Sequence, residues 1–372
     1  MPEAVAKGTW TKVAFGDVVQ LSKERSKDPE ADGIERYVGL EHIEPGDLRI
    51  RSWGDVAGGT TFTTVFRPGQ VLFGKRRSYQ RKVAVADFSG VCSSDIYVLE
   101  PKGEDLLPEL LPFICQTDAF FEHAVGTSAG SLSPRTNWKD LATFEFALPP
   151  LEEQRRIAEV LRITASNIEA LRRLQLSTSQ LSEAYGCHVL RSYPQAWVQV
   201  GDIAKFTSGK QIRVSGLPQE PSDDAAIPVY GGNGVSGYTD QPLADCIAPT
   251  VVIGRVGQFC GAALVTGGAA WITDNALYPK TLDPQVDVTF LAMCLKAANL
   301  NRGKLGEYLP LVTQKVVHSA RIPKLATSAQ RHHAEQYMAI EQQAAAARRH
   351  VEGAYAVLRQ LLASLSGGDK EP

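Results

Sequence analysis

The sequence predicts an α+β chain, mixed α/β within its globular parts. Two such parts are separated by two long helices that form an antiparallel coiled coil with pseudo-two-fold symmetry. Three observations lead there. Short signatures recur in the same order in each half of the 372 residues. Each half opens on a stretch rich in glycine, proline, β-branched and aromatic residues, with turn signals at short intervals. Each half closes on a long segment whose apolar residues recur at coiled-coil spacing.

The repeat is degenerate but ordered. Trp10-Thr11-Lys12-Val13 runs into Phe15-Gly16-Asp17-Val18, as Trp197-Val198-Gln199-Val200 runs into Gly201-Asp202-Ile203. Val71-Leu72-Phe73-Gly74-Lys75-Arg76 parallels Val252-Ile253-Gly254-Arg255, and Ser94-Asp95-Ile96-Tyr97 parallels Thr273-Asp274-Asn275-Ala276-Leu277-Tyr278. Leu148-Pro149-Pro150-Leu151 with Gln154-Arg155 parallels Ile322-Pro323-Lys324-Leu325 with Gln330-Arg331. A period close to half the chain marks a duplication and not a solenoid.

In the globular stretches, Gly58-Gly59, Arg67-Pro68-Gly69, Gly231-Gly232-Asn233-Gly234 and Gly267-Gly268 mark turns. Val83-Ala84-Val85 and Val251-Val252-Ile253 read as strands. A helical stretch follows in each half, from Leu106 to Ala124 and from Val288 to Leu300.

From Glu152 to Arg191 there is no proline and a single glycine, Gly186. Ile157, Leu161, Thr164, Ile168 and Leu171 follow 4-3-4-3 spacing. After a one-residue phase shift, Leu174, Thr178, Leu181 and Tyr185 continue it. In the second segment Tyr337, Ile340, Ala344, Ala347, Val351, Ala354, Leu358, Leu361 and Leu365 alternate 3-4 without a break. Pro149-Pro150 and Pro323 cannot continue a helix through the preceding turn, so both helices start just after them. At ~1.5 Å per residue each helix is on the order of 55 Å long. Alanine in the second seam lets two helix axes approach closely. The alternative is that each stripe packs on its neighbouring globular part. The expected pieces are 1–150, 151–192, 193–325 and 326–366, with a disordered tail over 367–372.

Apolar residues make up 44% of the chain and charged residues 22%, enough to bury a core. There is no run of 18 apolar residues and no apolar leader between Met1 and Trp10, so a cytoplasmic protein is expected. Cys92, Cys115, Cys187, Cys246, Cys260 and Cys294 are scattered without a C-x-x-C pair, which fits reduced thiols and not a zinc site. The net charge of −2 is unlike that of a simple nucleic-acid binder, so local charge has to carry any such role.

The stretch Phe146-Ala147-Leu148-Pro149-Pro150-Leu151-Glu152-Glu153-Gln154-Arg155-Arg156-Ile157-Ala158-Glu159-Val160-Leu161 resembles a known junction. It is similar to the boundary between a target recognition domain and the central conserved helix in the specificity subunits of type I restriction–modification systems, the HsdS family. Ile227-Pro228-Val229-Tyr230-Gly231-Gly232-Asn233-Gly234-Val235-Ser236-Gly237-Tyr238, followed by Val252-Ile253-Gly254-Arg255 and Ile272-Thr273-Asp274-Asn275-Ala276, resembles the body of such a domain. The second junction departs from the pattern, with Ala326-Thr327-Ser328-Ala329-Gln330 in place of Glu-Glu-Gln, two residues longer. The resemblance covers essentially the whole chain and implies two recognition domains alternating with two conserved helices. It implies that each domain reads one half of a bipartite site on double-stranded DNA. The coiled coil sets the spacing and docks two methyltransferase subunits, and nuclease/translocase subunits join that core. No cofactor is expected on this chain, since S-adenosylmethionine belongs to the methyltransferase partner. No membrane contact and no catalysis are expected.

Within that frame Lys75-Arg76-Arg77, with Arg81 and Lys82, form the densest basic cluster, with no acid between Gln70 and Val85. Arginine makes bidentate contacts to guanine edges and phosphates, and lysine contacts mostly phosphates. Tyr79 lies among them and suits stacking or a sugar contact. Arg255 takes the equivalent place in the second half. Ser131, Ser133 and Arg135 sit in a small polar loop suited to phosphate contacts, with Thr313, Gln314 and Lys315 as the expected counterpart. Lys210 and Gln211, after Thr207-Ser208-Gly209, and Asn233 complete the set. Each segment also reads as an ordinary solvated loop.

Other motifs do not hold up. Gly232-Asn233-Gly234-Val235-Ser236-Gly237 fits G-x-G-x-x-G in letters, but Tyr238-Thr239-Asp240-Gln241-Pro242 cannot open the helix a dinucleotide site needs. Ser208-Gly209-Lys210 lacks the upstream glycine of a phosphate-binding loop. His332-His333 has no companion ligands at metal spacing. Glu152 and Glu153 suit a helix first turn better than a catalytic pair. Two other classes stay open. One is a self-contained nuclease or methyltransferase, which turnover by the isolated chain would reveal. The other is a scaffold with degenerate heads, which would tolerate loss of Lys75, Arg76 and Arg77.

Overall fold

The structure, a computed structural model, describes residues 10–257, 260–301 and 311–365. The tail expected over 367–372 lies outside the described residues. Contacts divide the chain into two compact units, Met1–Ala170 with Val351–Pro372, and Leu171–His350. Each unit therefore takes one globular part together with a stretch of both long helices, where the sequence suggests four consecutive pieces.

The first unit opens with β1 (Thr11–Ala14), α1 (Phe15–Val18), β2 (Val19–Leu21), β3 (Arg36–Val38), β4 (Gly54–Asp55) and β5 (Thr64–Phe66). It continues with β6 (Val71–Gly74), β7 (Val83–Val85), β8 (Gly90–Cys92), β9 (Ile96–Pro101), α2 (Leu111–Ile114), α3 (Asp118–Gly126), α4 (Trp138–Leu141) and β10 (Glu145–Leu148). The long helix α5 (Leu151–Ser192) follows directly. β1 pairs with β10, one sheet runs β2-β9-β6-β7, and another runs β4-β3-β8-β5. β3 and β8 are parallel. Val71 and Phe73 of β6 point into a core shared with Phe15, Phe120 and Phe144. Leu72, on the opposite face, packs with Val38, Phe66 and Val98. Burial on both faces explains why the strand is apolar without alternation.

The helix expected over Leu106–Ala124 is broken. Pro112 sits in the first turn of the short α2, and Thr117 accepts a hydrogen bond from the Phe120 amide at 3.3 Å to start α3 anew. Proline and an N-cap residue outweigh the apolar run here.

The second unit repeats the order, without a counterpart of β5 and with one helix, α7, in place of α2 and α3. It contains β11 (Trp197–Gln199), α6 (Val200–Ile203), β12 (Ala204–Ser208), β13 (Ile227–Gly231), β14 (Gly234–Thr239) and β15 (Val251–Gly254). Then come β16 (Ala263–Val265), β17 (Trp271–Ile272), β18 (Ala276–Leu282), α7 (Val288–Ala297), α8 (Gln314–Ser319), β19 (Arg321–Pro323) and α9 (Thr327–Leu365). The sheets are β11-β19, β12-β18-β15-β16 and β14-β13-β17, and β13 runs parallel to β17 as β3 does to β8. Asp287 caps α7 by accepting from the Phe290 amide at 2.9 Å. That helix ends short of Leu300, with Asn299 in the left-handed region at φ 47°.

Each long helix is pinned to its globular part by one buried glutamine. Gln154 accepts from the Leu107 amide at 2.9 Å and donates to the carbonyls of Asp105 (2.7 Å) and Pro149 (2.9 Å). Gln330 accepts from the Asp287 amide at 2.9 Å and donates to the carbonyls of Leu325 (2.9 Å) and Gln285 (3.3 Å). In the first unit Glu169 of α5 is buried and takes both terminal nitrogens of Arg51, at 3.2 and 2.5 Å.

Within each unit the two helices run antiparallel. In the first, Ala158, Leu161 and Ile168 of α5 cluster with Leu358 and Leu365 of α9. In the second, Val189 and Tyr185 cluster with Ala334 and Tyr337. The phase shift expected in α5 is absent. The inward positions Ala158, Leu161, Ala165, Ile168, Arg172, Gln175, Ser179, Ser182, Gly186 and Val189 keep one heptad phase, all buried or half-buried. Leu174 and Leu181, expected in the seam, are each 50% exposed. Between Ile168 and Val189 this inward row is built from Arg172, Gln175, Ser179, Ser182 and Gly186, polar or small residues that apolar spacing cannot register. Gly186 belongs there because a Cβ would lie 3.0 Å from Ala297 Cβ. Ser182 donates to Glu341, which also accepts from Lys296 at 2.9 Å. His333 of α9 is held between two phenols, with Tyr185 at 2.9 Å from Nδ1 and Tyr193 at 3.0 Å from Nε2.

Two predictions follow from this packing. Leu161→Ala should cost about 2–4 kcal/mol in denaturant unfolding, whereas Leu174→Gln should stay within about 0.5 kcal/mol of the parent; equal losses would restore Leu174 to the seam. Burial, with His332 and His188 nearby, pushes the His333 pKa below its usual 6.5. The unfolded chain then takes up a proton in a range where the folded chain does not, so stability is full above about pH 6.5 and falls as the pH drops below it. The melting temperature should fall more from pH 7.5 to 5.5 in the parent than in His333→Gln, and identical slopes would exclude His333 as the source.

Candidate nucleic-acid interface

In the first unit the chain leaves β6 at Gly74 and makes a tight turn over Ser78–Gln80, flanked by two left-handed arginines, Arg77 (φ 54°) and Arg81 (φ 56°). Non-glycine residues seldom hold this conformation, and it concentrates at functional sites. The loop before α4 returns alongside. Arg77 N donates to the Pro134 carbonyl at 2.7 Å, and Thr136 N donates to the Lys75 carbonyl at 3.0 Å. Lys75, Arg76, Arg77, Ser133 and Arg135 are thereby brought together around one carboxylate, Asp95.

Arg135 Nε donates to Asp95 Oδ1 at 2.8 Å, and Arg76 Nη1 donates to Oδ2 at 3.1 Å. Burial disfavours the charge on Asp95, but the bonds from Arg135 and Arg76 outweigh it and hold the carboxyl below its usual pKa. Ser133 Oγ accepts from Arg76 Nη2 at 3.0 Å and from Arg77 Nη2 at 3.3 Å. Lys75 Nζ lies 4.5 Å from the centre of the Tyr97 ring, and burial pushes its pKa down. The Nε atoms of Arg76 and Arg77 are buried with no hydrogen-bond partner. Unsatisfied buried donors are rare in folded proteins and point to an acceptor supplied from outside. Tyr79 is 56% exposed on the turn, and Ser131 is exposed on the loop beside Leu132, which is 90% exposed.

Arg81 and Lys82 face elsewhere. Arg81 pairs with Asp118 at 2.6 Å, donates to the Gln116 carbonyl at 3.1 Å and lies over Phe121. Lys82 Nζ donates to the Leu40 carbonyl at 2.6 Å.

The second unit builds the same corner with fewer charges. Phe73 pairs with Tyr97 and Gly74 with Ile96, as Ile253 pairs with Leu277 and Gly254 with Ala276, so Arg255 stands where Lys75 does. Arg255 Nη1 lies 3.3 Å from Ser208 Oγ and 3.3 Å from the Asp274 carbonyl. Gly209 must be glycine, since a Cβ would sit 2.1 Å from the Ile272 carbonyl oxygen, and this close approach presents the exposed Lys210 and Gln211 beside the same segment. Asn233 is exposed at the tip of the β13–β14 hairpin, whose Gly232 abuts the Asn275 carbonyl. The G-x-G-x-x-G letters are thus a two-residue hairpin turn and the strand after it. Thr313 caps α8 by accepting from the Val316 amide at 3.4 Å, with Gln314 and Lys315 exposed in the first turn. Its topological equivalent is Asn137, which caps α4 by accepting from the Asp140 amide at 2.9 Å, so Thr313 is not the counterpart of Ser133. Leu311 bridges to Val256 as Arg135 bridges to Arg76, and is the first described residue of that segment. Thr273 Oγ1 is a further buried polar atom without a partner.

Sequence reasoning passed over Asp95 and Leu132. Asp95 stood inside a recognised repeat signature as a lone acid, and the two arginines it joins are 59 residues apart in Arg76 and Arg135. The exposure of Leu132 has no sequence signal.

Residues 7–176 match the sequence model of the type I restriction modification DNA specificity domain. The type I restriction enzyme EcoDI specificity subunit of Escherichia coli is 29% identical over 194 residues, covering 47% of this chain and 41% of that protein. The EcoprrI specificity subunit of Escherichia coli is 25% identical over 143 residues, covering 34% of this chain and 35% of that protein. The alignments thus span about two fifths of the length of these relatives. The S subunit of a type I restriction-modification system from M. genitalium superposes with a TM-score of 0.68 at 18% identity, covering 98% of each chain. A chain from a structure on complex assembly and conformational transition of the type I R-M system superposes with a TM-score of 0.55 at 21% identity, covering 99% of this chain and 100% of that one.

Residues 7–176 are therefore similar to the type I restriction–modification DNA specificity domain, and the chain as a whole shares the fold of the M. genitalium S subunit. The family that the junction motif resembles is the one these comparisons return. Among the described residues no helix is long and apolar enough to cross a membrane.

Proposed function

We propose that this chain is the DNA-reading specificity subunit of a type I restriction–modification complex and performs no catalysis itself. Each globular part reads one half of a bipartite target on double-stranded DNA. The α5 and α9 helices set the distance between the halves and dock two methyltransferase subunits, with nuclease/translocase subunits joining that core. S-adenosylmethionine is a ligand of the methyltransferase partner, and this chain needs no cofactor.

The observation that carries this reading is the duplicated corner. Lys75 and Arg255 leave the end of topologically equivalent strands, and each is surrounded by exposed polar and cationic side chains with buried polar atoms left without partners. Guanidinium forks match phosphate and guanine acceptors. Docking is supported by apolar residues that α5 leaves in solvent, among them Val160 and Ile163.

Purified with its methyltransferase partner, the chain should direct methylation to one two-part sequence, read by sequencing of methylated DNA. Exchanging residues 10–148 for those of another specificity subunit should change one half of that sequence and leave the other half intact. A single contiguous motif that follows the chain would overturn the two-reader reading.

Arg77→Gly separates reading from folding. Glycine adopts the φ 54° of this position without the cost of a Cβ, about 1 kcal/mol in the left-handed region, so the melting temperature should hold or rise slightly. DNA affinity of the complex should fall with the lost guanidinium. Unchanged affinity would remove Arg77 from the interface.

A further inference from the structure

We propose that Arg135, held in place by Asp95, reads a guanine in the half-site of the first unit. The proposal rests on the DNA-reading role above and assigns the base that one side chain takes. Three arginines meet at this corner, and they are not equivalent. Arg76 has both terminal nitrogens engaged, Nη1 with Asp95 and Nη2 with Ser133. Arg77 has one engaged with Ser133. Arg135 is tied through Nε to Asp95 at 2.8 Å, and its two terminal nitrogens have no partner among the described residues.

That division of donors matters chemically. Fixing Nε fixes the plane of the guanidinium and leaves Nη1 and Nη2 as a pair of donors. Such a pair matches the two acceptors, O6 and N7, on the major-groove edge of guanine. A phosphate also offers two oxygens to such a fork, so a base contact is told from a phosphate contact by its dependence on N7 and by its salt slope. The backbone under Arg135 is also fixed. Its N–H and C=O both bond to Ala129 at 3.0 Å, and its neighbours are tied to Arg77 and Lys75. Rotamer freedom is therefore removed before any DNA arrives, and a preorganised donor pair discriminates better than a mobile one.

Asp95 is the positioning residue. The Lys75 amide donates to the Asp95 carbonyl as the Arg255 amide donates to that of Asn275, so Asn275 is its equivalent in the second unit. A neutral amide stands there, and Arg255 leans on Ser208 and on a backbone carbonyl instead. Among the described residues the buttressed arginine is a property of the first unit.

The test uses the assembled methyltransferase complex and duplexes carrying its own methylated sequence. Each guanine is replaced in turn by 7-deazaguanine, which lacks the N7 acceptor. For the parent complex, one position in one half should weaken binding measurably, up to a ceiling of about 150-fold set by loss of a whole bidentate base contact, because O6 is retained. In Arg135→Ala that penalty should disappear while penalties elsewhere persist. Asp95→Asn should shrink the same penalty and leave the salt dependence of binding unchanged, since Asp95 touches no phosphate. A penalty pattern unaltered by Arg135→Ala would overturn the assignment. So would a uniform loss of affinity with a salt slope reduced by about one, which marks a phosphate contact. Binding of the parent complex that ignores sequence in both halves would instead remove the DNA-reading role on which the proposal stands.

Discussion

Gln154 and Gln330 set where everything else can go. Each sits in the first turn of a long helix, buried, and each satisfies backbone groups of its own globular part and of the proline-containing strand exit before the helix. Glutamine suits the place because its amide both accepts and donates, and a joint made of backbone partners tolerates any surface sequence around it. An apolar residue would leave several buried backbone groups unpaired, each at a cost of roughly 1–3 kcal/mol. A joint of this kind couples the direction of a helix to the orientation of the sheet beside it. The proposed base reading, in which side chains must meet base edges within about an ångström, requires that coupling.

The heads themselves combine rigidity with unfinished bonding. Sheets buried on both faces hold Gly74 and Gly254 at the ends of their strands. Past those ends, the chain adopts two left-handed arginines and leaves guanidinium nitrogens unpartnered. Such features lower stability, and they persist because the surrounding core over-determines the loop. Polar atoms that lack partners inside the protein are the ones able to gain them from a ligand.

The two-part plan, the helix starts and the location of both corners were legible in the sequence, because prolines, heptads and repeated signatures are local signals. Pro149-Pro150 and Pro323 placed the helix entries, and the 3-4 alternation from Tyr337 to Leu365 described the α9 seam. Beyond Ile168 the seam reading holds at Thr178 and Tyr185 and fails at Leu174 and Leu181, which face solvent while Gln175, Ser182 and Gly186 are inward. Apolarity signals a seam only where the partner helix also needs bulk, and the partner surfaces there are Lys296, Ala297 and Glu341. Arg81 joined the basic cluster by adjacency in sequence, yet a turn of three residues between Arg77 and Arg81 sends it to Asp118. Asp95 escaped notice because long-range ion pairing has no periodicity to read.

A net charge of −2 fits a DNA-reading role once distances are considered. Charges separated by more than about 8–10 Å are largely screened at physiological salt, so a duplex responds to the corner it touches and not to the sum over the chain. At the first corner Lys75, Arg76, Arg77 and Arg135 surround one carboxylate, a local excess of three positive charges (four minus one). Acids elsewhere do structural work, as Glu169 does with Arg51 and Glu341 with Lys296. Concentrating cations at one corner and balancing them elsewhere gives strong attraction where docking occurs and weak attraction to DNA in general. The proposed role, to ignore most of a genome and hold one sequence, would benefit from that division.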